Sequence, residues 1–175
     1  MFKNILIATD GSDHAKRAAE VAADIAKVYG ARLTILNVQP LSLTLDDIEG
    51  MPQAKHLSKK VRADIKRLEG AMLNSAEAAS VPLYYVPAPR SAISALGQII
   101  LKETAEIAKK KKVTKVAQVA AEGDPAEKIL AHAKKSKADL IVVGTRGLTR
   151  IGEFVLGSVS HKVVHLAKCP CLTVK

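Results

Sequence analysis

The spacing Gly144-x2-Gly147-x9-Gly157-Ser158 marks the part of this 175-residue chain whose residue types could do chemistry. Glycine lets a backbone turn at positive φ and lets a bulky ligand approach, because no Cβ blocks either, and Gly144 and Gly147 are read in that role. Gly157, Ser158, Val159 and Ser160 come where a final helix opens. The first N–H groups of a helix have no intrahelical acceptor, so these four residues and their two hydroxyls suit a di- or triphosphate. Arg146 and Arg150 can add charge-assisted donors. A plain strand-to-helix connection capped by serine is the competing account of the glycines. A Walker A loop is rejected: Gly147 and Gly152 are correctly spaced, but Glu153 and Phe154 stand where Lys and Ser/Thr are required. The chain has no G-x-G-x-x-G either.

Asp10, in Ala8-Thr9-Asp10-Gly11-Ser12, is the second candidate. Its carboxylate is a hard oxygen ligand able to hold Mg²⁺ against phosphates. The same residue could instead serve an Asx-type turn or the start of a helix. His14, His56, His132, His161 and His165 read as surface or interface residues, and no Ser-His-Asp order or paired-carboxylate geometry can be argued from them. Cys169 and Cys171 flank Pro170; in an extended segment they point to opposite faces, which disfavours a shared metal or bond. They read as small core and surface residues.

These residues need elements to position them. The run Asn4 to Thr9 predicts a strand, and Ala15, Ala18, Ala19, Ala22, Ile25 and Ala26 predict a helix between a Ser12 cap and Gly30. Leu33 to Val38 predicts a second strand ended by Pro40, completing a right-handed βαβ unit. A loop with Asp46, Asp47, Gly50 and Pro52 comes next, then a helix marked by Leu57, Val61, Ile65, Leu68 and Met72, then an extended linker with prolines at 82, 87 and 89. A further helix runs from Ser91 past Ile107 into the lysine run, and Val113 to Ala120 alternates as a third strand. Asp124-Pro125 starts a helix with Ile129, Leu130 and Ala133 facing the core. Asp139 to Val143 is a fourth strand, Ser158 to Lys168 a helix containing Val159, Val163 and Leu166, and Cys171 to Val174 a fifth strand. The alternation predicts one doubly wound α/β domain over residues 1–175 with a mostly parallel sheet. In such sheets ligands lie beyond the carboxyl ends of the strands, where strand order reverses; Asp10, Val38 and Gly144 onward stand at those ends.

Composition sets outer bounds. Apolar residues make up 48% but aromatics only 3%, which suits helices packed on a sheet. Lys and Arg number 27 against 17 Asp and Glu, a net +10 that attracts polyanions or phosphorylated ligands without choosing between them. Much of that excess sits in Lys109 to Lys112 and in Lys134, Lys135 and Lys137, which read as solvated helix ends. The N-terminus does not read as a signal peptide and no apolar stretch is long enough to span a membrane, so the expectation is a cytoplasmic protein.

The segments ILIATDGSDHAKRAAEVA, LTILNV, EGDPAEKIL, ADLIVVGTRG and GSVSHKVVHLAKCPCLTV together resemble the universal stress protein family, and the glycine-serine spacing is similar to the signature of its ATP-binding branch. The resemblance covers residues 2–38, the helix from 91, and 113–175. It implies a five-stranded sheet in order 3-2-1-4-5 with helices on both faces, of the adenine nucleotide alpha hydrolase-like superfamily. It implies that Ala8, Thr9 and Asp10 border a triphosphate, with Asp10 on Mg²⁺ or Mn²⁺, and that Val38 meets adenine through its backbone. Gly144, Arg146 and Gly147 would line ribose and phosphates, and Gly157, Ser158, Val159 and Ser160 would bind phosphate oxygens. It also implies a homodimer through the last strand, here Leu172 to Val174. Residues 41–90 depart from the family pattern as an extended helical insertion that could cover the pocket, extend the dimer contact or bind a partner.

The expectation is therefore an ATP-binding stress-response protein that hydrolyses slowly if at all, because no general base is evident in the sequence. Nucleic-acid binding through the lysine clusters is the alternative; no recognition motif and few stacking aromatics stand against it. A small transferase or ligase would need an acceptor site for which little chain is left.

Overall fold

A computed structural model describes residues 1–73, 86–147 and 157–175. The chain runs β1 (Asn4–Ala8), α1 (Asp13–Tyr29), β2 (Arg32–Gln39), α2 (Leu45–Glu49), a 3₁₀ turn (Pro52–His56) and α3 (Lys59–Leu73). It continues α4 (Arg90–Lys110), β3 (Val116–Glu122), α5 (Pro125–Ser136), β4 (Leu140–Gly144), α6 (Ser158–Leu166) and β5 (Cys171–Val174). The strands form one sheet in the order β3-β2-β1-β4-β5. All four pairings are parallel, as crossover connections through helices require.

Successive residues of a strand point to opposite faces, and the sheet uses both. Ile5, Ile7, Leu33, Ile35, Leu140 and Val142 pack beneath the alanine stripe of α1 and Leu101 and Ala108 of α4. Leu6, Leu36, Ile141 and Val143 pack beneath Ala126, Ile129 and Ala133 of α5 and Val163 of α6. Small side chains on α1 let it lie close to the sheet. Ser12 caps that helix by accepting the Ala15 N–H at 3.2 Å, and Gly30 ends it at φ 60°. Asp124 caps α5 by accepting the Glu127 N–H at 2.8 Å, with Pro125 at the first helical position.

Several boundaries differ from the pattern-based expectation. The third strand begins at Val116 rather than Val113, and runs to Glu122. Lys112 adopts φ 64° and the Val113 N–H returns to the Ala108 carbonyl, so those residues terminate α4. The stretch around Asp46 and Asp47 is the helix α2 and not a loop: Thr44 and Asp47 form a capping box, and Leu45 and Ile48 are buried. Pro87, expected in an extended linker, pairs with Thr44 in an antiparallel bridge, while Pro82 lies outside the described residues. The last helix stops at Leu166 rather than Lys168, and Leu166 is 50% exposed. Cys169 and Cys171 both pack against the α5 and α6 side, not on opposite faces, because the chain bends before β5 begins.

Candidate functional site

Strand order reverses at β1: the first crossovers step outward through β2 to β3, and the chain then passes to β4 on the other side. Beyond the carboxyl ends of these strands opens a cavity of about 330 Å³. It is lined by Ala8, Thr9, Asp10, Val38, Gly144, Arg146, Gly147, Gly157, Ser158, Val159 and Ser160. All the described candidates named from the sequence thus meet at one place. Leu36, Pro40, Pro125 and Ile129 join Val38 as an apolar wall on the β2 and α5 flank. Arg146, Gly147, Ser158 and Ser160 supply polar groups on the β4 and α6 flank, and Asp10, just past β1, lies between the two flanks. Arg150 lies outside the described residues.

The turn after β1 shapes one side. Asp10 Oδ1 accepts the Ser12 N–H at 3.0 Å, so the Asx-type turn exists. The other carboxylate oxygen faces the glycine loop: a Cβ on Gly147 would lie 2.5 Å from Asp10 Oδ2. The Asx turn thus uses Oδ1, and Oδ2 lies on the Gly147 side. Thr9 is 5% exposed, and its hydroxyl lies on the far face, accepting the Gly11 N–H at 3.3 Å and the Thr104 hydroxyl at 3.4 Å. Only its backbone can serve the cavity.

The glycine loop works differently from the expectation in two respects. Neither Gly144 nor Gly147 is among the described glycines with positive φ, which are Gly11, Gly30 and Gly123. Gly144 is small because a Cβ would lie 2.9 Å from the His14 carbonyl carbon and 3.0 Å from the Ala15 nitrogen, so it seats α1 against β4. Second, the Gly157 N–H is not open to a ligand, since it donates to the Thr145 carbonyl at 2.8 Å. The Ser160 hydroxyl also turns inward, donating to the Thr145 carbonyl at 3.0 Å and the Gly157 carbonyl at 2.8 Å. The N–H groups of Ser158, Val159 and Ser160 remain as the first turn of α6, which lacks intrahelical acceptors for them. Close packing of Gly157 explains its size at φ −59°: a Cβ would sit 3.2 Å from the Thr145 oxygen.

Thr145 and His14 are residues that sequence reasoning missed. Thr145 is 8% exposed; its carbonyl anchors the start of α6 and its hydroxyl lies 3.1 Å from His14 Nδ1. That contact makes the half-buried His14 a joint between α1 and the residues after β4. Their only signal was position, within the variable x2 of the glycine spacing and two residues past the Ser12 cap. At the mouth of α5, the Glu127 N–H and then Lys162 hold the Asp124 carboxyl below its ordinary range. Burial pushes both the Cys169 and Cys171 thiols up.

Among the described residues no three of His, Cys, Asp and Glu converge. A divalent cation here would have Asp10 and the oxygens of its ligand, an arrangement that suits Mg²⁺.

The model of the universal stress protein family matches residues 1–175. The chain belongs to the universal stress protein family. It is 39% identical over 179 aligned positions to a universal stress protein of Thermus aquaticus, covering all of both chains. A crystal structure of a universal stress protein in complex with cAMP is 28% identical, with TM-score 0.62 over 99% of this chain and 97% of that one. A universal stress protein from Archaeoglobus fulgidus in complex with dAMP shares the fold at 18% identity, TM-score 0.60, over 100% of this chain and 98% of its own. The sheet order is that of these family members, which have the adenine nucleotide alpha hydrolase-like fold. Among the described residues no helix is long and apolar enough to cross a membrane.

Proposed function

We propose that the chain is a cytoplasmic stress-response protein that binds ATP with Mg²⁺ in the cavity at the end of β1. One observation carries the reading: an apolar wall and a helix N-terminus flank the same 330 Å³ cavity, with a carboxylate between them. Such a division suits an adenine at Val38, Pro40 and Ile129 and phosphates at Ser158, Val159 and Ser160. The family members holding cAMP and dAMP support an adenine nucleotide as the ligand class. Mg²⁺, when bound, would neutralise phosphate charge beside Asp10. Arg146 adds positive charge on the same flank.

Asp10 is the one carboxylate among the described lining residues, and orienting a cation leaves it unsuited to activating water. Turnover is therefore slow or absent. β5 pairs only with β4 among the described residues, so Leu172 to Val174 offer an edge through which two copies could join. Mass spectrometry of small molecules released from the heat-denatured protein tests the reading, together with calorimetric titration by Mg-ATP. An adenine nucleotide and saturable binding are expected. No retained nucleotide and no binding at millimolar Mg-ATP would overturn it, and fast phosphate release would overturn the assignment as a binder.

A further inference from the structure

The segment between β2 and α4 reaches the cavity from behind through one buried side chain. Gln53, in the 3₁₀ turn, is 1% exposed. Its Nε2 donates to the Gly11 carbonyl at 3.2 Å and to Glu103 Oε2, on α4, at 3.1 Å. Gly11 stands at φ +82°, and a Cβ there would lie 2.9 Å from Ile100 Cγ1 and 3.0 Å from the Gln53 amide nitrogen. The turn after β1 is thus pressed against both α4 and Gln53.

Polar accounting shows why an amide stands there. The Thr9 N–H is the last to reach the neighbouring strand, at Leu36, so the buried Gly11 carbonyl needs a donor from elsewhere. The surrounding segment packs through Leu45, Ile48, Met51 and Leu57, which need no amide among them. Gln53 Oε1 is itself buried with no hydrogen-bond partner among the described residues.

We infer that Gln53 is a positioning residue for the cavity: through Gly11 it fixes the Asp10-Gly11-Ser12 turn and hence where the Asp10 carboxylate points. The inference rests on the nucleotide reading above. Asp10 Oδ1 is tied to the Ser12 N–H, so any shift of Gly11 moves the carboxylate with it. Gln53 lies in the stretch 41–90 that the sequence reading takes as an extended insertion, and by this route that stretch is part of the site's support. The coupling runs both ways: a ligand engaging Asp10 tightens the segment that carries Gln53.

Two variants of the full chain test this, Gln53→Leu and Gln53→Met, each titrated calorimetrically with Mg-ATP and separately with adenosine. Mg-ATP affinity should fall about tenfold while adenosine affinity holds within about twofold, since the apolar wall is untouched. Equal losses for both ligands, or none, overturn the inference. If the parent binds neither ligand, the nucleotide reading fails by itself, and hydrogen exchange in the ligand-free protein decides the role of Gln53. Faster exchange at the Gly11 and Ser12 amides in Gln53→Met, with β2 amides unchanged, supports it; unchanged exchange at those two amides overturns it.

Discussion

Gly147→Ala places a single methyl against the Asp10 carboxylate. The new Cβ would stand 2.5 Å from Asp10 Oδ2, where ordinary contact begins at 3.4 Å, and among the described residues the only other atom within 4 Å is Asp10 Cγ at 3.7 Å. Gly147 is exposed and its φ is not positive, so the change bears on the carboxylate and scarcely on the fold. Stability should move by under about 1 kcal/mol, as at other surface positions without a special backbone role. Asp10, by contrast, must rotate or shift, and it cannot then keep both its Ser12 N–H bond and its place in the cavity. Losing one interaction of a charged group costs about 1.5–3 kcal/mol. At about 1.4 kcal/mol per decade this is roughly a 10- to 150-fold rise in the Kd for Mg-ATP. Calorimetry at fixed Mg²⁺ measures the loss, adenosine serves as the control that should bind as in the parent, and a thermal melt checks the fold. A variant that binds Mg-ATP within about twofold of the parent, with its melt unchanged, refutes the placement of Asp10 opposite the loop.

Gly157→Val should abolish nucleotide retention while helical circular dichroism stays as in the parent, because its Cβ meets the Thr145 oxygen at 3.2 Å at the mouth of α6. Retained binding would detach α6 from the phosphate role. Gly144→Ala acts on the fold: its Cβ meets α1 backbone at 2.9 and 3.0 Å, and overpacking of this kind costs about 1–3 kcal/mol, several degrees in Tm. An unchanged melt would show that α1 yields freely. For Asp124 the folded pKa lies below the ordinary 3.8, so its contribution is complete above that value and is lost as pH falls through the lower folded one. Asp124→Asn, which keeps a capping side chain, should therefore be less stable than the parent at about pH 6, and the gap should shrink as pH falls below 3.8, by chemical denaturation across that range. A constant gap would assign the effect to capping geometry instead of charge.

The fold was legible where one local pattern sufficed to specify an element. Asn4 to Thr9 and Asp139 to Val143 are continuous apolar runs because both faces of the sheet are covered, and caps at Ser12, Gly30 and Asp124 act within a few residues of themselves. Beyond such stretches, tertiary contacts decided. Val113 resembles a strand residue, yet it ends a helix because Lys112 turns left-handed and the partner on β2 for the first rung, Leu33, meets Val116. The Thr44-Asp47 box was present in the sequence, but acids and a glycine around it resemble a turn until Leu45 and Ile48 find a buried surface.

The site divides in the same way. Residue types and spacing located the cavity, since Asp10 and Gly144 onward stand at strand ends that any right-handed parallel sheet brings together. What spacing could not assign is the division of labour between side chain and backbone. Thr9 and Ser160 look alike as hydroxyls in the sequence, and both turn away from the cavity, to Thr104 and to the Thr145 carbonyl. Gly144 looks like Gly147, yet one makes room for a helix and the other for a carboxylate. Small and polar residues at such a crevice therefore have two tasks, to build a rigid rim and to leave a few donors open. The amides of Ser158, Val159 and Ser160 open a helix that has no intrahelical acceptors for them, and Thr145 holds that opening in place, so the rim residues should tolerate no exchange that repacks Thr145.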